Sequence, residues 1–290
     1  MSRLIRILSD IHFGHKASTV KSLDQLAPLT EQVDHLIFNG DTLEQKYRDS
    51  PLHESDPLPT FTQFSNFFEK RVPEVTYITG NHDPQVSSSH HCFLNSNEVF
   101  VTHGDAIFEN ITPWCGILKS INNALDKLGT PGSHQSLSER LDLTKRVTIE
   151  AHKDTLKHDP TVWGKFLVFA HQAWPPTKPF RVIKAWRDAP DKAVQLAKES
   201  ALPSKFIVIG HTHFPGIWQR GEHIVINTGS YFPWPTRYAV DVEGSSLKIR
   251  KVVKKQGKFH PGRIIREFQL KQPAHKRAKK PEENTSVKLV

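Results

Sequence analysis

Five apolar runs in this chain each end in an aspartate, histidine or asparagine, and this repeated design constrains the fold more than any other feature. The clearest run is Phe206–Ile209, which is followed by Gly210, His211, Thr212 and His213. Four consecutive apolar residues predict a short strand that is buried on both faces. Two histidines one residue apart after such a strand suit a metal site, although loop histidines are also often solvated or hydrogen-bonded groups.

The other four runs occur within the first 103 residues. The polar residues at their ends are Asp10 and His12, then Asp41, then Asn81 and His82, and finally His103. The alternation of apolar strands with helical segments predicts an α/β fold. In an open α/β sheet, side chains just beyond the carboxyl ends of strands converge on one crevice. We therefore expect residues that are distant in the sequence to share one site.

The predicted site offers oxygen and nitrogen ligands and no thiolate. Its seven candidate metal ligands are Asp10, His12, Asp41, Asn81, His103, His211 and His213. Carboxylates, an amide oxygen and imidazoles suit borderline divalent ions, so we expect Mn²⁺, with Fe²⁺ or Zn²⁺ as alternatives. Seven ligands are too many for one ion, which predicts two ions bridged by a carboxylate. Water that is bound between two such ions has a lowered pKa. The hydroxide that it forms can attack phosphorus in a phosphomonoester, phosphodiester or pyrophosphate.

The same motifs resemble a known family. The matching stretches are Asp10-x-His12, Gly40-Asp41, Gly80-Asn81-His82-Asp83, His103 and Gly210-His211-Thr212-His213. In this order they resemble the five blocks of the calcineurin-like metallophosphoesterases, and Asn227-Thr228-Gly229-Ser230 is similar to a turn that often follows the last block. The resemblance covers roughly residues 3–107 and 188–250. It implies a two-layered β-sheet core flanked by helices, with a dimetal site at its rim.

The resemblance also implies a role for each site residue. One ion would be held by Asp10, His12, Asp41 and His213, and the other by Asp41, Asn81, His103 and His211. His82 would protonate the leaving oxygen as a general acid. Family members can use a carboxylate three residues after the bridging aspartate to orient that histidine, and this chain has Glu44 there rather than Asp.

Three other histidines need interpretation. His171 also ends an apolar run, residues 166–170, whose pattern does not distinguish helix from strand. We favour His103 as the fourth-block ligand and treat His171 as a structural histidine. His90 and His91 lie in a polar, serine-rich stretch, which predicts that both are exposed to solvent.

Two branches of the superfamily suggest different substrates. A large insertion after the fourth block is similar to the helical cap of UDP-2,3-diacylglucosamine hydrolases, which cleave a lipid-linked pyrophosphate, but that family usually carries Arg at the position of His82. The motifs at residues 9–14 and 80–83 are equally similar to those of DNA-repair nucleases. A third hypothesis is a non-catalytic scaffold, which the complete ligand set disfavours. The expected partner is a phosphoester that is nucleotide-linked or lipid-linked, or a nucleic acid.

Composition and charge suggest the domain organisation. We expect a metallophosphoesterase domain over residues 1–253, an inserted helical cap over 108–187, and a basic, disordered tail over 254–290. The net charge of +9 arises at this end, because residues 251–290 contain twelve Lys or Arg and three Asp or Glu. Basic tails more often solubilise a chain than bind a specific partner, although they also bind nucleic acid. A helix from about residue 188 to 200, opened by Pro190, is predicted after the cap.

The cysteine content and the apolar runs indicate the cellular compartment in which the protein is expected. Two cysteines are too few for a disulfide framework. No signal peptide, membrane anchor or transmembrane run is expected from the pattern. The sequence therefore predicts a cytoplasmic protein.

Overall fold

A computed structural model describes residues 2–45, 61–112, 118–133, 135–155 and 178–271 of the chain. The strands, numbered along the chain, are β1 Leu4–Leu8, β2 His35–Asn39, β3 Glu74–Ile78, β4 His91–Leu94, β5 Val99–Thr102, β6 Phe206–Ile209, β7 Gly216–Arg220, β8 His223–Asn227, β9 Tyr238–Glu243, β10 Ser246–Lys255 and β11 Lys258–Gln269. A six-stranded sheet has the order β11-β10-β9-β1-β2-β3, and a five-stranded sheet has the order β4-β5-β6-β8-β7.

Parallel pairing determines which strand ends meet. Strands β1, β2 and β3 are parallel neighbours in the first sheet, and β5, β6 and β8 are parallel neighbours in the second. Their carboxyl ends therefore lie at one edge of each sheet, which is where the predicted site residues follow in the sequence. Strands β9, β10 and β11 extend the first sheet by antiparallel pairing.

The short apolar strands are buried on both faces, as predicted for Phe206–Ile209. Phe206 and Val208 pack between the two sheets against residues of the first sheet such as Ile7. Ile207 and Ile209 point the opposite way, toward the helical layer. Successive side chains of a strand alternate between its faces, so a run of four apolar residues serves two cores. The predicted architecture, a two-layered β-sheet core flanked by helices, is confirmed.

The helices in the described ranges flank these sheets. They are α1 Phe61–Glu69, α2 Leu118–Leu128, α3 Leu137–Thr155 and α4 Lys178–Glu199, together with 3₁₀ segments at Leu23–Thr30 and Asp105–Ile107. Helices α2 and α3 pack against each other through residues that include Ile121 and Val147. Arg140 of α3 pairs with Glu199 of α4 at 2.7 Å, which fixes the helical pair to the core.

Helix α4 is longer than predicted. It begins at Lys178, ten residues before the predicted start, and Pro190 lies inside it rather than at its beginning. Ala185, Ala189 and Ala193 recur every four residues and are buried against the second sheet. Burial along this whole face outweighs the hydrogen bond that a proline removes from a helix.

The segment from residue 254 onward is not a disordered tail as far as the structure describes it. Residues 246–269 form the antiparallel strands β10 and β11, and Phe259 and Leu270 are buried. Apolar side chains on one face of this hairpin pack onto the core, which the high density of lysine and arginine obscured in the sequence. Residues 272–290 lie outside the described residues.

The predicted cap falls partly on described residues. Its described helices are α2, α3 and the first half of α4, while residues 113–117 and 156–177 lie outside the described ranges. The boundary at residue 187 falls within α4, a helix that also packs on the second sheet. The division into domain and cap therefore stays a prediction. None of the helices that the structure describes is both long and apolar enough to cross a membrane.

Candidate metal centre

Five segments of the chain converge where β1, β2, β3, β5 and β6 end. The convergence predicted from the sequence is present in the structure. Of the residues that follow these strands, Asp10, His12, Asp41, His211 and His213 all have φ between 48° and 65°. Aspartate and histidine tolerate this left-handed conformation better than most residues. Five such residues in one place are typical of a functional site, where local backbone strain is offset by the surrounding structure.

The first cluster contains two carboxylates and two imidazoles. The Nε2 atoms of His12 and His213 lie 3.1 Å apart. His213 Nε2 is 3.2 Å from Asp10 Oδ1, and His12 Nε2 is 3.5 Å from Asp41 Oδ2. Potential ligand atoms of all four residues lie within 4.8 Å of one another. Asp10, His12 and Asp41 are buried, and the side chain of His213 is 27% exposed, so the cluster opens to solvent on the His213 side.

The second cluster shares Asp41 with the first. Asp41, His103 and His211 have potential ligand atoms within 4.8 Å of one another, and all three residues are buried. His103 Nε2 lies 3.4 Å from Asp41 Oδ1 and 3.2 Å from Asn81 Oδ1. The structure therefore brings together all seven residues that the sequence marked as candidate ligands, with one carboxylate common to both groups.

Hydrogen bonds behind the imidazoles orient them. His103 Nδ1 donates to the carbonyl oxygen of Asn39 at 3.0 Å, and His211 Nε2 donates to that of Ile111 at 2.8 Å. The other ring nitrogen of His103 thereby faces the shared carboxylate of Asp41 at 3.4 Å. Metal-binding histidines commonly make such a second hydrogen bond, which sets their tautomer and orientation. This donor set fits divalent cations.

Electrostatics in the centre favour positive charge. Burial opposes ionisation of Asp41, but the nearby imidazoles, His103 above all, hold the pKa of this carboxyl well below its usual value. Asp10 shows the same direction: burial opposes its ionisation, but the hydrogen bond from His213 and the nearby imidazoles of His103 and His213 together lower its pKa. Burial lowers the pKa of His103, but Asp41 and Asp10 together raise it well above the ordinary value. A bound divalent cation would replace the proton that His103 holds there.

His211 is held neutral. Burial and the adjacent positive charge of His103 lower the pKa of His211 to about 3. A neutral imidazole is the form that binds a metal ion.

His82 and Glu44 form a pair beside the first cluster. His82 Nδ1 lies 3.0 Å from both carboxylate oxygens of Glu44. Burial opposes ionisation of Glu44, but His82 and His12 hold its pKa far below the usual value. The side chain of His82 is 18% exposed, while that of Glu44 is fully buried. Because Nδ1 of His82 is engaged by Glu44, any proton transfer by this imidazole would use Nε2.

Asp83 supports the site in a way that the sequence motif did not reveal. Its two carboxylate oxygens accept hydrogen bonds from the backbone N–H groups of Gly80, Asp41, Thr42 and Leu43, at 2.7 to 3.1 Å. These bonds tie the loop after β2 to the loop after β3. The position of Asp83 directly after Asn81 and His82 was the available signal.

Gly80 and Gly210 each lie so close to an aspartate of the site that a larger residue would not fit. A Cβ atom at Gly80 would overlap the backbone nitrogen and Oδ1 of Asp41. One at Gly210 would overlap Oδ2 of Asp10 and the hydroxyl of Ser9. The glycine in each motif therefore leaves room for a carboxylate from another segment.

Asn227 and Phe232 complete the surroundings of the ligands. Asn227 Nδ2 donates to the carbonyl oxygen of Gly210 at 2.7 Å and to the hydroxyl of Thr212 at 3.0 Å, which braces the loop that carries both histidines of the last motif. The ring of Phe232 stacks on the imidazole of His12, with centroids 4.8 Å apart and planes 18° from parallel. No pattern in the sequence marked Phe232.

The remaining histidines have different outcomes. His90 and His91 are both half-buried, so the prediction that they are exposed is wrong. His90 Nδ1 is 2.9 Å from the hydroxyl of Thr79, and the ring of His91 packs edge-on against Phe93 in β4. The short loop before β4 folds back onto the sheet, which its serine-rich sequence did not indicate. His171 lies outside the described residues.

The fold and this buried cluster define a metallophosphoesterase type of protein, and sequence comparison agrees. The family model for calcineurin-like phosphoesterases matches residues 4–215. The chain belongs to this family. Family and clusters together support divalent metal binding and a phosphoesterase-type function. No curated protein sequence matches the chain.

The chain is similar in fold to several solved structures. A predicted phosphoesterase from Streptococcus pneumoniae TIGR4 is 17% identical, with 93% of this chain and 98% of that chain covered and a TM-score of 0.39. Vps29 from Cryptosporidium parvum is 12% identical, with 92% and 98% covered and a TM-score of 0.43. Wild-type Vps29 from Entamoeba histolytica in complex with Zn²⁺ is 11% identical, with 92% and 98% covered and a TM-score of 0.41.

Proposed function

We propose that this protein is a metal-dependent phosphoesterase whose centre holds two divalent cations. The observation that carries the proposal is the shared Asp41, which joins two buried clusters of imidazole and oxygen ligands. Two cations held in this way would activate water and neutralise charge on the phosphoryl oxygens. Mn²⁺ is the preferred ion, because the donor set combines carboxylates, an amide oxygen and imidazoles without a thiolate.

The ligands divide between the two ions as the clusters do. One ion would be held by Asp10, His12, Asp41 and His213, and the other by Asp41, Asn81, His103 and His211. The hydrogen bonds from His103 to Asn39 and from His211 to Ile111 keep both rings in the orientation that binding needs.

His82 is the proposed general acid. The oxygen of water forms a new bond to phosphorus, the bond to the leaving alcohol breaks, and His82 Nε2 gives that alcohol its proton. The proton that water loses restores His82. Glu44 would orient the imidazole through Nδ1 and stabilise its charged form. A buried carboxylate is costly unless it has a partner, and His82 provides that partner for Glu44.

The substrate is a phosphomonoester, a phosphodiester or a pyrophosphate. A panel of phenyl phosphate, bis(p-nitrophenyl) phosphate and a nucleotide pyrophosphate separates these three classes. The full chain should be stripped with a chelator, reloaded with Mn²⁺ and assayed on each. Turnover of at least one compound that depends on added metal is expected. Metal binding without turnover of any of them would support the non-catalytic scaffold instead.

Metal analysis of variants tests the ligand assignment. The reloaded protein should contain about two ions per chain. His103→Ala and His213→Ala should each lose about one ion and nearly all activity. His223→Ala is the matched control, because His223 lies at the amino end of β8, opposite the metal edge. His171→Ala should keep both ions, and loss of an ion in this variant alone would reassign the fourth block.

A further inference from the structure

The β10–β11 hairpin carries a concentration of positive charge. Residues 246–271 contain nine Lys or Arg and one acidic residue, Glu267. Two cations near the base of the hairpin are paired, since Lys248 contacts Glu243 and Arg250 contacts the buried Asp241, each at 3.0 Å. Arg263 and Arg266 of β11 are exposed, and no salt bridge within the described ranges involves either of them. The hairpin therefore presents positive charge to solvent along β11 as well as at its tip.

Cations at the tip are exposed. Lys251, Lys255 and Lys258 are exposed, and no salt bridge within the described ranges involves any of them. The 3₁₀ segment that packs against β11 adds one exposed carboxylate, Asp24. Three unpaired lysines against one carboxylate leave this region strongly basic.

The hairpin tip projects on the metal side of the sheet. Lys251 is the last residue of β10 that pairs with β9, and β10 continues to Lys255. Four further residues of strand extend about 13 Å beyond that edge. The edge is the one at which β1 ends and Asp10 follows, because β1 and β10 both run antiparallel to β9.

Direct contacts connect the hairpin to the centre. The ring of Phe259 in β11 packs against Tyr231, with centroids 5.2 Å apart. The backbone N–H of Tyr231 donates to the carbonyl oxygen of Asp10 at 3.0 Å. Lys254 Nζ donates to the carbonyl oxygen of Thr19, whose own N–H donates to Tyr231. The basic tip and the ligand Asp10 are thus held in a fixed relation.

An aromatic cluster lies on the loop of the last metal motif. Trp186 of α4 stacks on Phe214 with centroids 4.5 Å apart and planes 18° from parallel, and it also contacts Trp234 at 5.9 Å. The indole N–H of Trp186 donates to the carbonyl oxygen of Thr212, the residue between His211 and His213. Trp234 is 66% exposed. The exposed indole of Trp234 thus packs on Trp186, which is hydrogen-bonded to the metal-binding loop, and it offers a stacking surface on that side of the metal centre.

We propose that the basic hairpin and the aromatic cluster bind a single-stranded nucleic acid across the metal centre. This inference rests on the proposed function and names its substrate class, a phosphodiester within a polynucleotide. Lysines that follow a backbone of phosphates, combined with aromatic rings that stack on bases, are the usual means of binding single strands. Bases in a duplex are already stacked and paired, so the indole of Trp234 selects unpaired ones.

The binding test uses the full, Mn²⁺-loaded chain and a fluorescein-labelled phosphorothioate 20-mer of thymidine, which keeps the backbone charge and resists hydrolysis. Fluorescence anisotropy should show single-strand binding that weakens as salt rises. Changing Lys251, Lys255 and Lys258 together to alanine should reduce the slope of log K against log salt by about two units, because each phosphate contact contributes about 0.7. The triple change to arginine should keep the slope, and Lys198→Ala is a control for loss of an exposed lysine elsewhere.

The aromatic part is tested separately. Trp234→Ala should weaken binding of the single strand about tenfold, whereas Trp234→Phe should retain most of it. A 20-bp duplex of the same chemistry should bind more weakly than the single strand. Equal binding of duplex and single strand, or an unchanged affinity in Trp234→Ala, would overturn the proposal.

Vesicle binding and hydrolysis of a small substrate test the proposal further. Binding of the protein to vesicles containing phosphatidylglycerol, with no binding of the oligonucleotide, would show that the surface serves an anionic membrane and would overturn the proposal. The small substrate bis(p-nitrophenyl) phosphate keeps the two proposals distinct. If it is hydrolysed while the oligonucleotide is not bound, this inference fails and the proposed function stands. If the oligonucleotide is bound with the expected dependence on Lys251 and Trp234 while no phosphoester is hydrolysed, the binding surface stands and the proposed function fails.

Discussion

The buried ion pair between Arg6 and Asp241 offers a sharp test of how the first sheet is stabilised. Arg6 of β1 lies directly opposite Asp241 of β9, and their side chains are 4% and 2% exposed. Two hydrogen bonds of 2.7 Å join the guanidinium Nε and Nη2 to the two carboxylate oxygens, and Arg6 Nη1 donates to the carbonyl oxygen of Leu29 at 2.9 Å. Every donor group of Arg6 therefore faces a partner inside the protein.

Asp241→Ala leaves a charged guanidinium buried without its carboxylate. Removing one partner of a buried pair costs about 3–5 kcal/mol, a large share of the 5–15 kcal/mol that stabilises an ordinary domain. Urea unfolding followed by tryptophan fluorescence and by circular dichroism should show a lower midpoint with an unchanged slope. Glu243→Ala is the control, because the 3.0 Å pair of Glu243 with Lys248 is partly exposed and should contribute at most about 1 kcal/mol.

A double variant separates lost pairing from lost packing. Arg6→Met combined with Asp241→Leu removes both charges of this pair and fills the space with apolar groups. Arg250, which is 28% exposed and also contacts Asp241, loses its partner in the single and the double variant alike. The double variant should therefore recover most of the free energy of unfolding that is lost through the buried Arg6. A loss below about 1 kcal/mol in Asp241→Ala would refute the argument. So would a double variant that is as unstable as the single one.

Four further predictions concern the metal centre and the thiol of Cys92. His82→Ala and Glu44→Gln should keep their metal content but lower kcat about 100-fold or more for a phosphodiester with an alkyl leaving group. The loss should be much smaller for a nitrophenyl leaving group, which needs no general acid. Gly210→Ala should lose metal in elemental analysis, because the added methyl group would overlap the carboxylate of Asp10. Burial raises the pKa of Cys92 to about 12, so at pH 8 the thiol stays protonated and peptide mapping should show slow alkylation until the protein is unfolded. Chelation should lower the midpoint of thermal unfolding and Mn²⁺ should restore it, and an unchanged midpoint would argue against tight metal binding.

The sequence alone was sufficient for the core strands and for the chemical character of the site. The run Phe206–Ile209 predicted a strand buried on both faces, and its side chains divide between two cores in the structure. Such a prediction succeeds because alternation of side chains along a strand is a local property of the backbone. Likewise, Asp10, Asp41 and His103 each follow an apolar run within three residues, so their place at a strand end could be deduced without knowledge of the partners.

The sequence was misleading where local composition and long-range packing disagree. Lysine-rich residues after 254 suggested disorder, yet Phe259 is buried and the segment pairs with β10 as strand β11. Pro190 suggested a helix start, yet it lies inside α4 because alanines on both sides of it bury the same face. In both cases a few buried contacts with distant residues outweighed many local preferences.

Only the tertiary structure revealed the groups that hold the ligands in place. Asp83 can tie the loops after β2 and β3 together because these strands are parallel neighbours. This pairing brings the N–H groups of Thr42 and Leu43 within reach of the Asp83 carboxylate. Phe232 stacks on His12 from a loop more than two hundred residues away in the chain. The sequence by itself determined which ligand types the chain offers and the strand ends at which they lie. Their distances, their hydrogen-bond partners and the nearby basic hairpin depend on strand order and register, which local periodicity does not specify.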